Sequence, residues 1–237
     1  MRRIALACCG LLLCGLPLLA APPAAADCPL PATPPITPTQ LWEEVVAGNA
    51  VFVDGDVHYA GLRALRRGMR DWQAPPIAAL SCADSRVMPE VAFERTIGEL
   101  FVTRVAGNIA DDYSVASLDY AVLNGWTPLI VVMGHSDCGA VKAALEPDPV
   151  PPQPPPTPAL GVLLGKIRDG LKAAGIPRNP KPTPAQLRQA IEANTRYAAN
   201  ELTEDSPLLK RCVEAGRLKI VAAYYDVGTG KVELLQR

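Results

Sequence analysis

Ile77-Ala78-Ala79-Leu80-Ser81-Cys82-Ala83-Asp84-Ser85-Arg86 decides the fold of this chain, because a short apolar run breaks off at once into polar, chemically capable residues. The pattern returns in Leu129-Ile130-Val131-Val132-Met133-Gly134-His135-Ser136-Asp137-Cys138-Gly139. Runs this short and this apolar predict strands buried on both faces, and helical stretches between them predict a mostly parallel sheet flanked by helices, an α/β fold. Working outward, strand candidates stand at 77–80, 100–105, 129–133 and 218–223, with helical stretches at 114–123, 140–145 and 184–202. Thr37-Pro38 followed by Gln40, and Thr183-Pro184 followed by Gln186, are helix starts: a hydroxyl caps the first turn, proline takes the first position and the glutamine reaches back. The first of them opens a helix expected over 40–48 that ends at Gly48-Asn49. Residues 231–235 follow the turn-like Gly228-Thr229-Gly230 and are expected to fold back as an antiparallel edge strand.

Around this core the ends and one insert differ in kind. Arg2 and Arg3 precede an apolar run over 4–16 and the small residues Ala24-Ala25-Ala26, which predicts an export signal over 1–26 and a periplasmic or secreted product with no membrane attachment once the signal is cut. Residues 27–38, rich in proline and alanine, read as an extended arm with little apolar surface to pack; a single domain over 39–237 follows. It is interrupted at 147–158 by a proline-dominated surface loop. The chain has 237 residues, 49% of them hydrophobic, and a net charge of -1, so it can bury a full core and carries no basic excess for a nucleic-acid partner.

Removing the signal takes Cys8, Cys9 and Cys14 with it and leaves Cys28, Cys82, Cys138 and Cys212. Four thiols in an oxidising compartment are compatible with two disulfides. Their contexts separate them, however, since Cys82 and Cys138 each close a strand-like run. In a parallel sheet the carboxyl ends of the strands form the crevice that binds ligands, so both runs are expected to face one pocket. Two thiolates and an imidazole suit zinc, and three protein ligands leave a fourth position free for water, as in catalytic rather than structural sites. Cys82, His135 and Cys138 are therefore the candidate metal ligands, and His58 is the one other histidine.

Cys-x-Asp-x-Arg followed by His-x-x-Cys-Gly resembles the β-class carbonic anhydrases, and the likeness extends through Phe101-Val102-Thr103-Arg104-Val105-Ala106-Gly107-Asn108 to Ala222-Ala223-Tyr224-Tyr225-Asp226-Val227. The resemblance implies reversible hydration of CO2 to bicarbonate by zinc-bound hydroxide. It gives Asp84 the role of accepting the hydrogen bond of the zinc water, and Arg86 that of keeping Asp84 ionised and off the metal. Gln73, Phe101 and Tyr120, with Gly139, would meet the substrate as in the plant-like branch: the glutamine as a donor to a substrate oxygen, the two rings as an apolar wall. Another branch of the family binds bicarbonate at a noncatalytic site with a Trp three residues before the first cysteine and a Gly just before it. Ala79 and Ser81 stand there instead, and no such site is expected. The family likeness also implies a homodimer or dimer of dimers, with the N-terminal helix crossing to a neighbour and the cleft at the dimer interface. Cys28 and Cys212, the thiols outside the metal set, are expected to form a disulfide. Hydrolysis of CS2 or COS on the same scaffold, a noncatalytic zinc protein, or a thiol protein with paired cysteines remain alternatives at this level.

Overall fold

Residues 27–147 and 157–235 are described by the computed structural model; the expected signal and residues 148–156 of the proline-rich insert lie outside the described residues. In chain order the elements are α1 (Pro38–Asp54), α2 (Leu62–Gly68), β1 (Ile77–Ser81), α3 (Pro89–Ala92), β2 (Leu100–Arg104), a 3-10 turn (Ala106–Asn108), α4 (Asp112–Leu123) and β3 (Leu129–His135). They are followed by α5 (Gly139–Leu145), α6 (Pro158–Ala173), α7 (Pro184–Asp205), α8 (Pro207–Glu214), β4 (Lys219–Tyr225) and β5 (Val232–Leu234). The sheet order is β2-β1-β3-β4-β5, with the first four strands parallel and β5 antiparallel to β4.

Why these strands are central follows from their composition. Every residue of β1 and β3 is buried, as parallel strands covered on both faces require. Alternation along the backbone then divides their side chains between two layers. Ile77, Ala79, Leu129, Val131 and Met133 pack with Leu41, Trp42 and Val45 of α1 and with Phe93. Ala78, Leu80, Ile130 and Val132 face α4, α7 and α8 through Val115, Leu118, Leu202 and Leu209. From β1 the chain passes to β2 on one side and then to β3 on the other. The loops leaving β1 and β3 therefore diverge and open a crevice at their carboxyl ends.

Two expectations change on the N-terminal side. Both glutamine capping boxes form as read, but α1 does not stop at Gly48-Asn49; it runs to Asp54 and ends at Gly55 with φ 79°. Gly48 serves packing, since a Cβ there would lie 2.1 Å from the Phe93 carbonyl oxygen. Asn49 is a clasp: its Nδ2 donates to Ala92 O at 3.0 Å and Gly230 O at 2.8 Å, while Oδ1 accepts from Val232 N at 2.8 Å. One side chain thus fastens α1 to α3 and to β5.

The arm also packs more firmly than its small apolar surface led one to expect. Cys28 and Leu30 are buried against Val122, Leu209 and Leu218, and Arg217 Nη1 donates to Cys28 O at 3.0 Å and Leu30 O at 3.3 Å. Two apolar residues and a crosslink suffice to seat it. The edge strand runs as expected, and Thr157 and Pro158, assigned above to the insert, are the N-cap and first residue of α6.

Candidate active site

His135 is the last residue of β3, paired with Tyr225, and Cys138 is the N-cap of α5 four residues of chain away from Gly134. Cys82 follows β1, the strand beside β3. The ligand atoms of Cys82, His135 and Cys138 all lie within 4.8 Å of one another, and all three residues are buried. His135 Nδ1 faces the Ser136 carbonyl at 2.9 Å. A carbonyl can only accept, so Nδ1 carries the proton and the lone pair sits on Nε2. That Nε2 is buried without a hydrogen-bond partner, which is costly for a protein alone and would be resolved by a metal ion.

The two thiols point the same way. A hydrogen bond from Cys138 lowers the Cys82 pKa, aided by His135 and by the Gly107 N–H, while the same bond raises that of Cys138. Two buried sulfurs in contact compete for negative charge, and a cation between them would let both ionise. Cys82 and Cys138 are both unoxidised, whereas Cys28 and Cys212 are joined as a disulfide with Cα atoms 5.0 Å apart.

Beside the triad, Asp84 is gripped by Arg86. Its Oδ1 accepts from Arg86 N at 3.0 Å and Nε at 2.9 Å, and Oδ2 accepts from Nη2 at 2.7 Å. This two-pronged pairing holds the carboxyl far below the usual range, against the opposing effect of partial burial. Oδ2 lies 3.9 Å from His135 Nε2, so an ionised oxygen borders the place where the ligand atoms converge. Asp137, in a left-handed conformation with φ 61°, pairs with Lys142 and lies 3.8 Å from Arg86 Nη1, adding a second carboxylate to the guanidinium. Gly139 opens α5 directly after Cys138, exposed, with no atom within 4 Å of where a Cβ would stand.

Sequence reasoning passed over the residues that hold this loop. Arg104 Nε donates to Cys82 O at 3.0 Å and Nη2 to Asp84 O at 2.6 Å, so the end of β2 clamps the ligand loop by its backbone. Ser136 N donates to Tyr225 O at 2.8 Å, and Ser136 Oγ accepts from Val227 N at 2.8 Å, which braces the histidine turn against the end of β4. A cation at the end of a strand neighbouring a ligand strand was the available signal for Arg104.

Gln73, Phe101 and Tyr120 come together with each other but not with the triad. Gln73 and Tyr120 line one hollow with Trp72, Trp126, Met69 and Ile97, and the Phe101 and Tyr120 rings are 6.4 Å apart. Gln73 precedes β1 and Cys82 follows it. Five strand residues at about 3.3 Å each put roughly 16 Å between the two ends. Within one chain the expected cleft is therefore split across opposite ends of the sheet. His58 stands exposed between α1 and α2 with Nδ1 against the Asp56 carbonyl.

Comparison with known proteins agrees with this arrangement. The family model described as carbonic anhydrase matches residues 77–232. A carbonic anhydrase of Mycolicibacterium smegmatis is 32% identical over 207 residues, covering 85% of this chain and 95% of the relative. One from Pseudomonas aeruginosa is 32% identical over 186 residues, 75% of this chain and 80% of its own. Among solved structures, the Coccomyxa β-carbonic anhydrase in complex with acetazolamide superposes with a TM-score of 0.64 at 26% identity, over 81% of this chain and 84% of that one. A tetrameric β-carbonic anhydrase from Sordaria macrospora shares the fold, with a TM-score of 0.63 at 20% identity over 83% and 98% of the two chains. With the strand order, the Cys-His-Cys cluster and the locked Asp84–Arg86 pair all in place, the chain belongs to the β-class carbonic anhydrases.

Proposed function

We propose that this chain hydrates CO2 reversibly to bicarbonate and a proton, using a zinc ion held by Cys82, His135 and Cys138. The observation that carries the reading is the buried convergence of those three ligand atoms beside an ionised Asp84. When bound, zinc lowers the pKa of a water in its open fourth position to about 7, which supplies a nucleophile at neutral pH. Asp84 orients it. Arg86 occupies both carboxylate oxygens, so Asp84 stays charged, accepts one hydrogen bond and is kept from turning onto the metal. The Asp84→Asn protein is expected to keep its zinc and lose roughly 10²- to 10⁴-fold in kcat for CO2 hydration, the range for a positioned acid or base. Stopped-flow hydration with CS2 as a comparison substrate checks both the residue and the substrate class; turnover of CS2 but not CO2 would sink the reading.

The split cleft bears on assembly. We assign the hollow lined by Gln73 and Tyr120, with Phe101 against the Tyr120 ring, to the active site of a second copy, in a homodimer or dimer of dimers. On its rim Trp72 is 59% exposed and Tyr120 52%, and large aromatics left in water mark contact surfaces. Trp72→Asp is expected to sediment as a smaller species and to lose activity while retaining stoichiometric zinc. An unchanged sedimentation coefficient with full activity would remove this assignment.

The disulfide between Cys28 and Cys212 suits an oxidising compartment, and with the apolar N-terminus it supports a periplasmic or secreted enzyme. Among the described residues no helix is long and apolar enough to cross a membrane.

A further inference from the structure

Arg104 holds the backbone of Cys82, but its sulfur is held from a different direction. The Gly107 N–H donates to Cys82 Sγ at 3.2 Å. Gly107 has φ 73°, and a Cβ there would lie 2.6 Å from Ile167 Cδ1, so the turn that aims this N–H is one other residues do not take readily. The turn is tied from its far side by Asn194, whose Nδ2 donates to Gly107 O at 2.8 Å. Asn194 is 1% exposed, on the buried face of α7 among Ile191, Thr195 and Ala198. An amide in that position is penalised by burial unless it is used, and an apolar side chain would fill the same face. Here its use is to anchor the loop that touches a metal ligand.

We propose that Asn194 is a positioning residue for the metal centre: by fastening the Gly107 turn to α7 it keeps the Gly107 N–H on the Cys82 sulfur and so sets how tightly that sulfur holds the metal. An N–H directed at a thiolate stabilises the deprotonated form that a ligand must adopt and fixes its orientation. The inference rests on the metal reading above and adds to it a residue 112 positions from the ligand it serves, well outside both motifs.

The test compares wild-type and Asn194→Ala holoprotein, loaded with zinc and separately with cobalt(II). Asn194→Ala is expected to release zinc to a competing chelator on the order of 10- to 100-fold more readily. Its thiolate-to-cobalt charge-transfer band is expected to shift, with the circular dichroism unchanged. Asn49→Ala breaks a buried amide clasp on the opposite layer of the sheet and serves as the control: lower stability, with wild-type zinc affinity and cobalt band. Should Asn194→Ala fail to fold, Asn194→Ser, which leaves a smaller gap, is read in the same way. Wild-type affinity and an unmoved band in the Asn194 variant would overturn the proposal, as would the same changes in Asn49→Ala. A wild-type protein that binds no metal overturns the functional reading as well, whereas a metal-binding wild type with an indifferent variant overturns this inference alone.

Discussion

Cys82→Ser protein is expected to purify with little or no zinc and to hydrate CO2 at the uncatalysed rate. Serine is nearly the same size, so the buried site still packs, but its hydroxyl does not ionise near neutral pH and makes a poor zinc ligand. What remains is a pair from one turn, His135 and Cys138, with nothing from β1 to close the cage. Altering a group that merely supports a ligand costs about 10- to 100-fold in metal affinity, and removing the ligand itself costs more. Metal analysis by mass spectrometry, with stopped-flow hydration on the same sample and circular dichroism to show the fold, checks it. Stoichiometric zinc with wild-type turnover in the serine protein would contradict the ligand assignment.

Opening the Cys28–Cys212 disulfide is expected to produce the largest loss of stability short of unfolding. The crosslinked residues are separated by 184 positions. For a loop of that length the entropy removed from the unfolded chain corresponds to up to about 5 kcal/mol. For a domain of this size that is roughly 10–20 °C in melting temperature. The native side adds to the effect, because a freed arm exposes Leu30 and takes from Arg217 the carbonyls of Cys28 and Leu30. Thermal unfolding of zinc-loaded Cys212→Ser against wild type measures it, and coincident melting curves would refute it.

Much of the fold was legible in short stretches because its causes are local. Complete apolar runs at 77–80 and 129–133 identify strands with both faces covered, and each threonine–proline–glutamine start carries its own hydrogen bonds. The metal triad could be read because ligands placed at strand ends need only the strands to be neighbours. What stayed hidden depends on contacts between distant segments. Asn194 meets Gly107 across 87 positions, and Arg104 reaches Asp84 across 20, with no spacing rule to announce either. The arm looked unstructured because its two useful apolar residues, Cys28 and Leu30, are scattered among prolines, and their burial is visible only once α8 and β4 are in place. Gln73, Phe101 and Tyr120 lie away from the triad within one chain for a simpler reason. Gln73 and Cys82 bracket β1, and the length of a strand, readable in the sequence, already sets them apart.

The crosslink has a mechanical side as well. It encloses β1, β2 and β3 and both motifs in one covalent ring, while β4 and β5 hang outside it on hydrogen bonds and packing. A threading machine that draws the chain from its N-terminal side meets the bridge at Cys28 and can advance only by drawing two strands of polypeptide abreast. Pulled from the carboxyl end, the same molecule gives way differently: β5 and then β4 can peel from the edge of the sheet before tension reaches the ring at Cys212. The metal ligands all lie on the side of the bridge that yields last.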